Sequence, residues 1–225
     1  MSSLFEMHFH TGETSPCGKV SAKESVPAYK ERGYDGIVVT DHYFRGYFDS
    51  LPDDLSWREK VARWKRGYDA AKEAGEACGM TVLLGMEFRF DRNVNDYLVY
   101  GITVPILEEN PDMFAWTEEA FSRFCRAQGW FFAQAHPFRP HIIRCPAALR
   151  DGVEVCNGNR RHDSHNALAA DFADKNGLRP LAGSDFHEWE DLQTVGVRFT
   201  HKPADSQEMI AQLRDGDYTL QLPKA

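Results

Sequence analysis

Two histidines near the start of the chain, His8 and His10, follow a short apolar run. Side chains at positions i and i+2 of a β-strand point to the same side, so these imidazoles can converge on one point at the end of a first strand. Two neutral imidazoles at one point are typical of metal binding. Because the same spacing also occurs in ordinary strands, the function of the pair depends on the rest of the chain.

Further ligand-type side chains recur where the predicted strands end. In chain order they are Asp41 with His42, Glu87, His136, Asn157, and Asp185 with His187. Five of the nine histidines, counting His8 and His10, occupy such positions. Borderline metals such as Zn²⁺, Mn²⁺ and Fe²⁺ accept this mixture of imidazoles and carboxylates. The Glu87 carboxylate can bridge two ions, as two-metal hydrolytic sites with ions about 3.5–4 Å apart require.

The elements that must position these residues alternate between strand and helix. Residues 36–40 form a continuous run rich in β-branched side chains, as expected for a strand buried on both faces. Two capping-box patterns, Ser21 to Glu24 and Ser56 to Glu59, predict helix starts. The alternating segment 88–103 carries a turn signal and is interpreted as a hairpin extension. The alternation as a whole predicts a parallel sheet with crossover helices.

An open sheet and a closed barrel are both compatible with this pattern. In a parallel barrel the carboxyl ends of the strands form one rim, and catalytic groups sit at that rim. Six successive predicted strands end in polar, ligand-type residues, which favours the barrel because it brings them to one cavity. The sequence therefore predicts an α/β barrel with parallel strands, as one domain over residues 1–225.

Composition restricts the class of protein. The net charge of −8 argues against a general nucleic-acid binder, which needs a basic face, and it is compatible with a small phosphorylated substrate. The five cysteines form no CxxC pair, which predicts a reducing compartment without a disulfide framework. We find no signal-peptide pattern and no run of 18 apolar residues, so we expect a cytoplasmic protein that makes no membrane contact. The oligomeric state stays open.

Five motifs in order resemble those of the PHP (polymerase and histidinol phosphatase) family over nearly the whole chain, from Phe5 to about Phe199. They are the HxH pair, Thr40-Asp41-His42, Gly85-Met86-Glu87, Ala135-His136-Pro137, and Gly183-Ser184-Asp185-Phe186-His187. The resemblance implies a stand-alone phosphoesterase with a distorted (β/α)7 TIM-like barrel. It also implies up to three divalent metal ions and phosphoester hydrolysis.

The resemblance also implies how the ligands divide. One ion would be held by His8, His10, Glu87 and Asp185, a second by Glu87 and His136, and a third by His42 and His187. Asp41 would orient a ligand from behind, and either His42 or His187 would act as the acid for the leaving oxygen. These three residues, Asp41, His42 and His187, are therefore the expected catalytic set.

The sequence departs from the family pattern at two places. Family members with three full sites carry one more histidine between the third and fourth motifs, and here Asp96 is the nearest acidic substitute. They also carry a His or Asp in the loop after HxH, for which Glu13 is the candidate and Cys17 a weaker one. A site with two ions is therefore an alternative to one with three.

Substrate binding is predicted at the same rim. Arg139, with either Arg160 or Arg161, is expected to hold a phosphate, because a guanidinium matches phosphate oxygens in a bidentate way. Asn157 could bind a carbonyl or a metal-bound water. Four aromatic residues are expected to cap the barrel, or to stack a base if the substrate is a nucleotide: Tyr43, Phe44, Tyr47 and Phe48.

The sequence thus favours a metal-dependent phosphoesterase, in which metal-activated water attacks a small phosphorylated substrate. We expect two or three Zn²⁺, Mn²⁺ or Fe²⁺ ions and no stable nucleic-acid partner. The competing hypotheses are a PHP-type exonuclease, a non-catalytic metal-binding domain and an amidohydrolase-type C–N hydrolase. The absence of a lysine at a predicted strand end counts against the last of these.

Overall fold

The computed structural model describes residues 2–223, in which strands and helices alternate as predicted. The strands are β1 (Ser3–Phe9), β2 (Gly36–Val39), β3 (His42–Tyr43), β4 (Thr81–Arg89), β5 (Asp96–Tyr100), β6 (Phe131–Gln134), β7 (Gly152–Asn157), β8 (Arg179–Gly183), β9 (Gly196–Phe199) and β10 (Tyr218–Gln221). The helices are α1 (Ala22–Glu31), α2 (Arg45–Asp49), α3 (Trp57–Trp64), α4 (Arg66–Cys78), α5 (Val104–Glu109), α6 (Glu118–Gln128), α7 (Asn166–Asn176) and α8 (Ser206–Asp215).

Seven strands form the wall of a barrel, in the order β1, β2, β4, β5, β6, β7, β8. The wall closes just after β8, where Phe186 pairs in parallel with Phe9. Backbone hydrogen bonds join the two segments, from the His10 N–H to the Phe186 carbonyl (3.1 Å) and from the Phe186 N–H to the His8 carbonyl (3.2 Å). The predicted distorted TIM-like barrel is therefore confirmed.

The expectation that all strands run parallel needs a correction in detail. β5 runs antiparallel to both β4 and β6, and β9 and β10 add an antiparallel pair beside β1. The segment interpreted as a hairpin extension is thus part of the barrel wall. The reason is geometric, because a short turn such as the one between β4 and β5 can join only antiparallel strands.

A large aromatic cluster supports the rim on the side of β3 and β4. Tyr43 is fully buried and stacks with Phe88 and Phe114, at ring-centroid distances of 6.1 and 5.2 Å. Tyr47 and Phe48 are also buried in this cluster, as expected of residues that cap the barrel. β3 pairs with β4 in such a register that His42 lies beside Glu87. Packing of the aromatic rings therefore fixes two of the predicted ligands next to each other.

The two predicted capping boxes have different outcomes. At α3, the Ser56 side chain accepts from the Glu59 N–H and the Glu59 carboxylate accepts from the Ser56 N–H, as predicted. At α1, the Ser21 hydroxyl instead donates to the Glu24 carboxylate. The acceptor at this helix terminus is Glu13, whose two carboxylate oxygens both lie 3.0 Å from the Ala22 nitrogen.

Within residues 2–223, the structure contains no helix that is both long and apolar enough to cross a membrane.

Candidate metal centre

The two histidines of β1 face two carboxylates. His8 Nε2 lies 3.2 Å from Glu87 Oε1 and 3.4 Å from Asp185 Oδ1. His10 Nε2 lies 3.3 Å from Glu87 Oε2 and 3.5 Å from Asp185 Oδ1. Both imidazoles are fully buried. The HxH pair therefore converges on one point, as its spacing predicts, and Glu87 and Asp185 converge there with it.

Glu87 lies at the centre of the cluster. Besides the HxH pair, its carboxylate meets His42 Nδ1 at 2.8 Å and His136 Nε2 at 3.2 Å. Burial alone would raise the pKa of Glu87, yet the charges of His8 and His42 hold it well below its ordinary value. The carboxylate is thus ionised and shared among four imidazoles that approach from three different strand ends.

His136 Nε2 hydrogen-bonds to Glu87 Oε1, but three other atoms of the cluster do not form hydrogen bonds. His8 Nε2, His10 Nε2 and Glu87 Oε2 are all buried and have no hydrogen-bond partner. Buried polar atoms are normally paired, because leaving them unpaired costs free energy. A divalent cation would satisfy nitrogen and oxygen donors together, and borderline metals accept this donor set. The residues therefore fit a metal centre.

Among residues 2–223, four overlapping groups of three residues bring their donor atoms within 4.8 Å of one another. They are His8 with His10 and Glu87, His8 with His136 and Asp185, Glu87 with Asp96 and His136, and His10 with His42 and His187. The second group was not expected. In the third, Asp96 occupies the place for which it was suggested as a substitute, although it is also paired with Arg89 at 2.7 and 2.8 Å.

His136 and Asp185 occupy strained positions in the loops after β6 and β8. Their φ angles are +26° and +52°, in the left-handed region that residues with a side chain rarely adopt. Such strain costs on the order of 1–3 kcal/mol per residue and persists only where the surroundings impose it.

Burial raises the pKa of Asp185, but His8, His10 and Arg139 together hold it well below the ordinary value.

Asp41 lies behind the cluster and does not line the cleft. Its carboxylate accepts hydrogen bonds from the Thr11 N–H, the Thr11 hydroxyl and the Ser15 hydroxyl, each at 2.7 Å. The Ser15 hydroxyl in turn lies 3.0 Å from His10 Nδ1. Asp41 is therefore connected to His10 through Ser15.

Sequence reasoning missed two buried glutamates that support the HxH pair. Glu154, inside β7, lies 2.9 Å from His8 Nδ1 and accepts a hydrogen bond from the His136 N–H. Glu6 accepts from the backbone N–H groups of His8 and Ser184, both at 2.8 Å. Burial raises the pKa of Glu6 to about 8. A signal was available for Glu6, which interrupts an apolar strand and precedes His8 by two residues.

The cluster opens into a cleft of about 220 Å³. His42 and His187 lie on its open side, with 17% and 11% of their side chains exposed. His187 Nδ1 hydrogen-bonds to the Asp185 carbonyl at 2.9 Å. Burial and the nearby charge of His10 lower the pKa of His187 to about 3, so its imidazole is neutral. The other lining residues are Cys17, Glu87, Arg89, Asp96, His136, Arg139, Asn159, Arg161, His162 and Asp185.

The three arginines predicted to bind phosphate differ in placement. Arg139 lines the cleft and donates to Asp185 at 2.5 Å and to Asn157 at 2.9 Å. Arg161 also lines the cleft, but its guanidinium is held by Asp191 in a bidentate pair at 3.0 and 2.7 Å. Arg160 is exposed and is not among the lining residues.

The structure also locates three other candidate residues, Asn157, Glu13 and Cys17, relative to the cleft. Asn157 accepts a hydrogen bond from the Arg139 guanidinium and does not itself line the cleft. Glu13 is exposed and is engaged with the first turn of α1, so the structure does not bring this expected ligand into the cluster. Cys17, the weaker candidate, lines the cleft. Arg89, Asn159 and His162 line it as well, and the sequence analysis did not select them for this role.

The sequence model of the PHP domain family matches residues 6–216. The chain therefore belongs to the PHP domain family. None of the curated proteins compared with the chain matches it.

Solved structures share this fold at low sequence identity. A two-domain protein from Bacteroides vulgatus, containing a predicted PHP-like metal-dependent phosphoesterase, is 16% identical with a TM-score of 0.71, covering 99% of this chain and 65% of that one. PsfC from Pseudomonas syringae is 15% identical with a TM-score of 0.63, covering 95% and 94%. The lesion-specific endonuclease PfuEndoQ from Pyrococcus furiosus is 16% identical with a TM-score of 0.60, covering 98% and 58%.

Proposed function

We propose that this protein is a metal-dependent phosphoesterase that hydrolyses a small phosphorylated substrate. The observation that carries the proposal is the convergence of buried imidazole and carboxylate atoms that lack hydrogen-bond partners, at the floor of an open cleft. The membership in the PHP domain family supports it. The geometry is compatible with two or three ions, and the donors with Zn²⁺, Mn²⁺ or Fe²⁺.

We assign the ligands to the ions as the resemblance to the PHP family implies, with Asp96 added near the second ion. His8, His10, Glu87 and Asp185 would hold the most buried ion. Glu87 and His136, with Asp96 close by, would hold a second, and His42 and His187 a third. When bound, divalent ions supply a nucleophilic water near neutral pH and neutralise charge on phosphoryl oxygens.

Arg139 would bind the substrate phosphate. Its guanidinium lies at the edge of the cleft and is fixed there by Ser164, Asn157 and Asp185. A guanidinium held in place can stabilise the charge that develops on the phosphoryl oxygens, which is the largest contribution in such sites. In a centre with three ions, His42 and His187 would both be ligands of the third ion, and neither would be free to act as an acid. In a centre with two ions, either His42 or His187 would act as the acid for the leaving oxygen.

The dimensions of the cleft favour a small substrate. Pockets for drug-sized ligands typically measure about 300–1,000 Å³, so a cleft of about 220 Å³ fits one phosphate and a short attached group. The net charge of −8 also disfavours long polyanions. One of the structural relatives is a lesion-specific endonuclease, so nucleic acid belongs among the substrates tested.

The test is phosphate release from sugar phosphates, nucleotides, amino-alcohol phosphates and short oligonucleotides. It uses the purified protein, the chelated protein, and the chelated protein after Zn²⁺, Mn²⁺ or Fe²⁺ is returned. We expect chelator-sensitive release from a small phosphate ester, restored by at least one metal. The variants His10→Ala and Asp185→Ala should lose about 10³-fold or more of this activity, since each removes a group that holds the centre together.

Matched control variants are His201→Ala and Asp171→Ala, which remove exposed side chains of the same types away from the cluster. They should retain full activity. Absence of phosphate release with every metal, from protein that still binds metal, would contradict the proposal. Cleavage of oligonucleotides without release from small esters would replace it with a nuclease.

A further inference from the structure

The loop after β8 contains a buried carboxylate close to His187. Asp191 is fully buried, whereas its neighbour Glu190 is exposed. The Oδ2 atom of Asp191 accepts hydrogen bonds from the His187 N–H and the Glu188 N–H, both at 3.0 Å. The carboxylate therefore holds the backbone directly at His187.

Arg161, in the loop between β7 and α7, is the charged partner of this carboxylate. Its Nε and Nη2 atoms donate to the two Asp191 oxygens at 3.0 and 2.7 Å. Burying a carboxylate without a partner is costly, and a bidentate guanidinium satisfies both of its oxygens. Two further carboxylates, those of Glu188 and Glu190, lie 3.2 and 3.4 Å from Arg161 Nε. The guanidinium is thus already surrounded by anions, which disfavours its use for a substrate phosphate.

The main chain of Arg161 leads to the same histidine by a second route. The Arg161 N–H donates to Asn159 Oδ1 at 3.0 Å, and Asn159 Nδ2 donates to the Asp185 carbonyl at 3.1 Å. That carbonyl also accepts from His187 Nδ1, at 2.9 Å. The side chain of Arg161 therefore connects to the backbone of His187, and its main chain connects to the imidazole.

These contacts define the state of the His187 ring. Because a carbonyl oxygen can only accept, Nδ1 carries the proton and Nε2 is the unprotonated nitrogen. The His187 carbonyl is held as well, by the Lys19 N–H at 2.7 Å. The orientation of the ring thus depends on how the backbone of residues 185–187 is fixed.

We propose that Arg161 and Asp191 are positioning residues that set the orientation of His187, and that Arg161 does not bind the substrate phosphate. The pair acts through the His187 N–H on one side and through Asn159 on the other. This role rests on the use of His187 in the proposed function. It is the same whether His187 holds an ion or acts as an acid.

The first test is ¹⁵N NMR of the chelated full-length protein, labelled at histidine. The ¹⁵N chemical shifts distinguish a protonated from an unprotonated ring nitrogen, and the signal that is missing from His187→Gln identifies His187. We expect a single tautomer in the wild type, with the proton on Nδ1. In Arg161→Ala and Asp191→Ala we expect a mixture of tautomers. A single tautomer in both folded variants would overturn the inference.

Two further variants make this test specific. Glu190→Gln removes a charge 3.4 Å from Arg161 Nε but none of the hydrogen bonds to Asp191, so it should keep the single tautomer. Asp191→Asn keeps an oxygen for the His187 N–H and loses the ion pair, and it replaces Asp191→Ala if that variant does not fold. We expect a mixture of tautomers in Asp191→Asn as well, and the wild-type spectrum in this variant and in Arg161→Ala would refute the positioning role.

A double-mutant cycle with the best ester separates positioning from phosphate binding. We expect Arg161→Ala and Asp191→Ala each to lower kcat by about 10- to 100-fold, the usual cost of losing a group that orients a functional histidine, with little change in KM. The double variant should lose no more than the larger single loss, because residues that act as a unit are not additive. If Arg161 bound the phosphate, Arg161→Ala would raise KM and Asp191→Ala would not, and that result would overturn the inference.

The NMR measurement needs neither bound metal nor turnover. If phosphate release fails with every metal while the tautomer depends on Arg161 and Asp191, the proposed function falls and the positioning role stands. If release succeeds while neither the tautomer nor kcat responds to these variants, the positioning role falls and the proposed function stands.

Discussion

The buried and the open sides of the metal centre are built differently. On the buried side, His8 and His10 are fully buried, and a second side chain holds the Nδ1 atom of each, Glu154 for His8 and Ser15 for His10. On the open side, His187 bonds only to a backbone carbonyl at Nδ1, and His42 meets an exposed thiol. Residues that hold a ligand's second nitrogen fix its tautomer and orientation. The imidazoles of the buried side are therefore more firmly oriented than those of the open side.

Arg139 connects the two sides, and among changes outside the proposed ligand groups its loss should have the largest effect. It contacts Asp185, a ligand of the buried side, while its guanidinium faces the cleft. We expect Arg139→Ala to lower kcat/KM by about 10²- to 10³-fold, as when one charge-stabilising donor is lost. Arg160→Ala, which removes an exposed guanidinium outside the cleft, should leave kcat/KM unchanged. Steady-state kinetics with the best ester decides this, and equal losses in both variants would refute the assignment.

Glu154→Gln tests whether the buried side depends on its supporting carboxylate. The substitution keeps the shape but removes the charge that faces His8 Nδ1. We expect metal affinity at the buried side to fall by about 10- to 100-fold, the usual cost of such a change. Calorimetric titration with Zn²⁺ measures it. Glu76→Gln, at an exposed position of α4, is the control, and equal affinities in the two variants would show that the support is unimportant.

Glu6→Gln should make the free energy of unfolding less sensitive to pH. In the folded protein the pKa of Glu6 is raised by burial to about 8 from an ordinary value of 4.5. Between these values the unfolded chain has released a proton that the folded protein still holds. The stability that protonated Glu6 contributes is therefore fully present below about pH 4.5 and is lost as the pH rises to about 8.

Because glutamine does not titrate, the variant does not lose this contribution to stability as the pH rises. Between pH 5 and pH 8 the free energy of unfolding of Glu6→Gln should improve relative to the wild type by on the order of 1–2 kcal/mol, since one unit of pKa corresponds to about 1.4 kcal/mol and buried sites relax in part. Urea unfolding of the chelated proteins at both pH values measures it. A difference that does not change with pH would show that Glu6 does not titrate in this range.

The smallest effect is expected at Glu13, which lies outside both sides of the centre. Glu13→Ala removes the acceptor at the start of α1 and should lower the free energy of unfolding by about 0.5–2 kcal/mol, as loss of a helix cap does. Bound metal, counted per chain, should stay at the wild-type level. Loss of an ion in this variant would return Glu13 to the list of ligands.

Much of the centre was predictable because histidine is rare and strand ends are recognisable. Placing His42, His136 and His187 at the ends of predicted strands was enough to bring them to one rim. Glu154 was missed because it lies inside a strand, where a carboxylate reads as one polar residue in an apolar run. Only the packing of β7 against the neighbouring strands shows that it reaches His8.

Two neighbouring arginines have positions that the sequence could not distinguish. Arg160 and Arg161 are adjacent and chemically identical, yet Arg160 lies outside the cleft, whereas Arg161 lines it and is held by Asp191. The place of β5 in the barrel wall was also out of reach, because an alternating hairpin has the same pattern whether it extends from a barrel or forms its wall. In both cases the outcome depends on contacts between distant segments, which local patterns do not encode.

The seam between Phe9 and Phe186 also determines when the centre can form during synthesis. His8 and His10 leave the ribosome early, whereas Asp185 and His187 follow only after nearly all of the barrel has been made. Bringing Phe9 and Phe186 together closes a long loop, which is slow because chain entropy is lost before the contacts between these segments can form. A nascent chain in which the residues after β8 have not yet been made therefore contains the paired imidazoles and Glu87 but lacks Asp185, their second carboxylate partner. The candidate ligand set is therefore completed only late in synthesis, and an ion bound to it would stabilise the closed barrel by mass action.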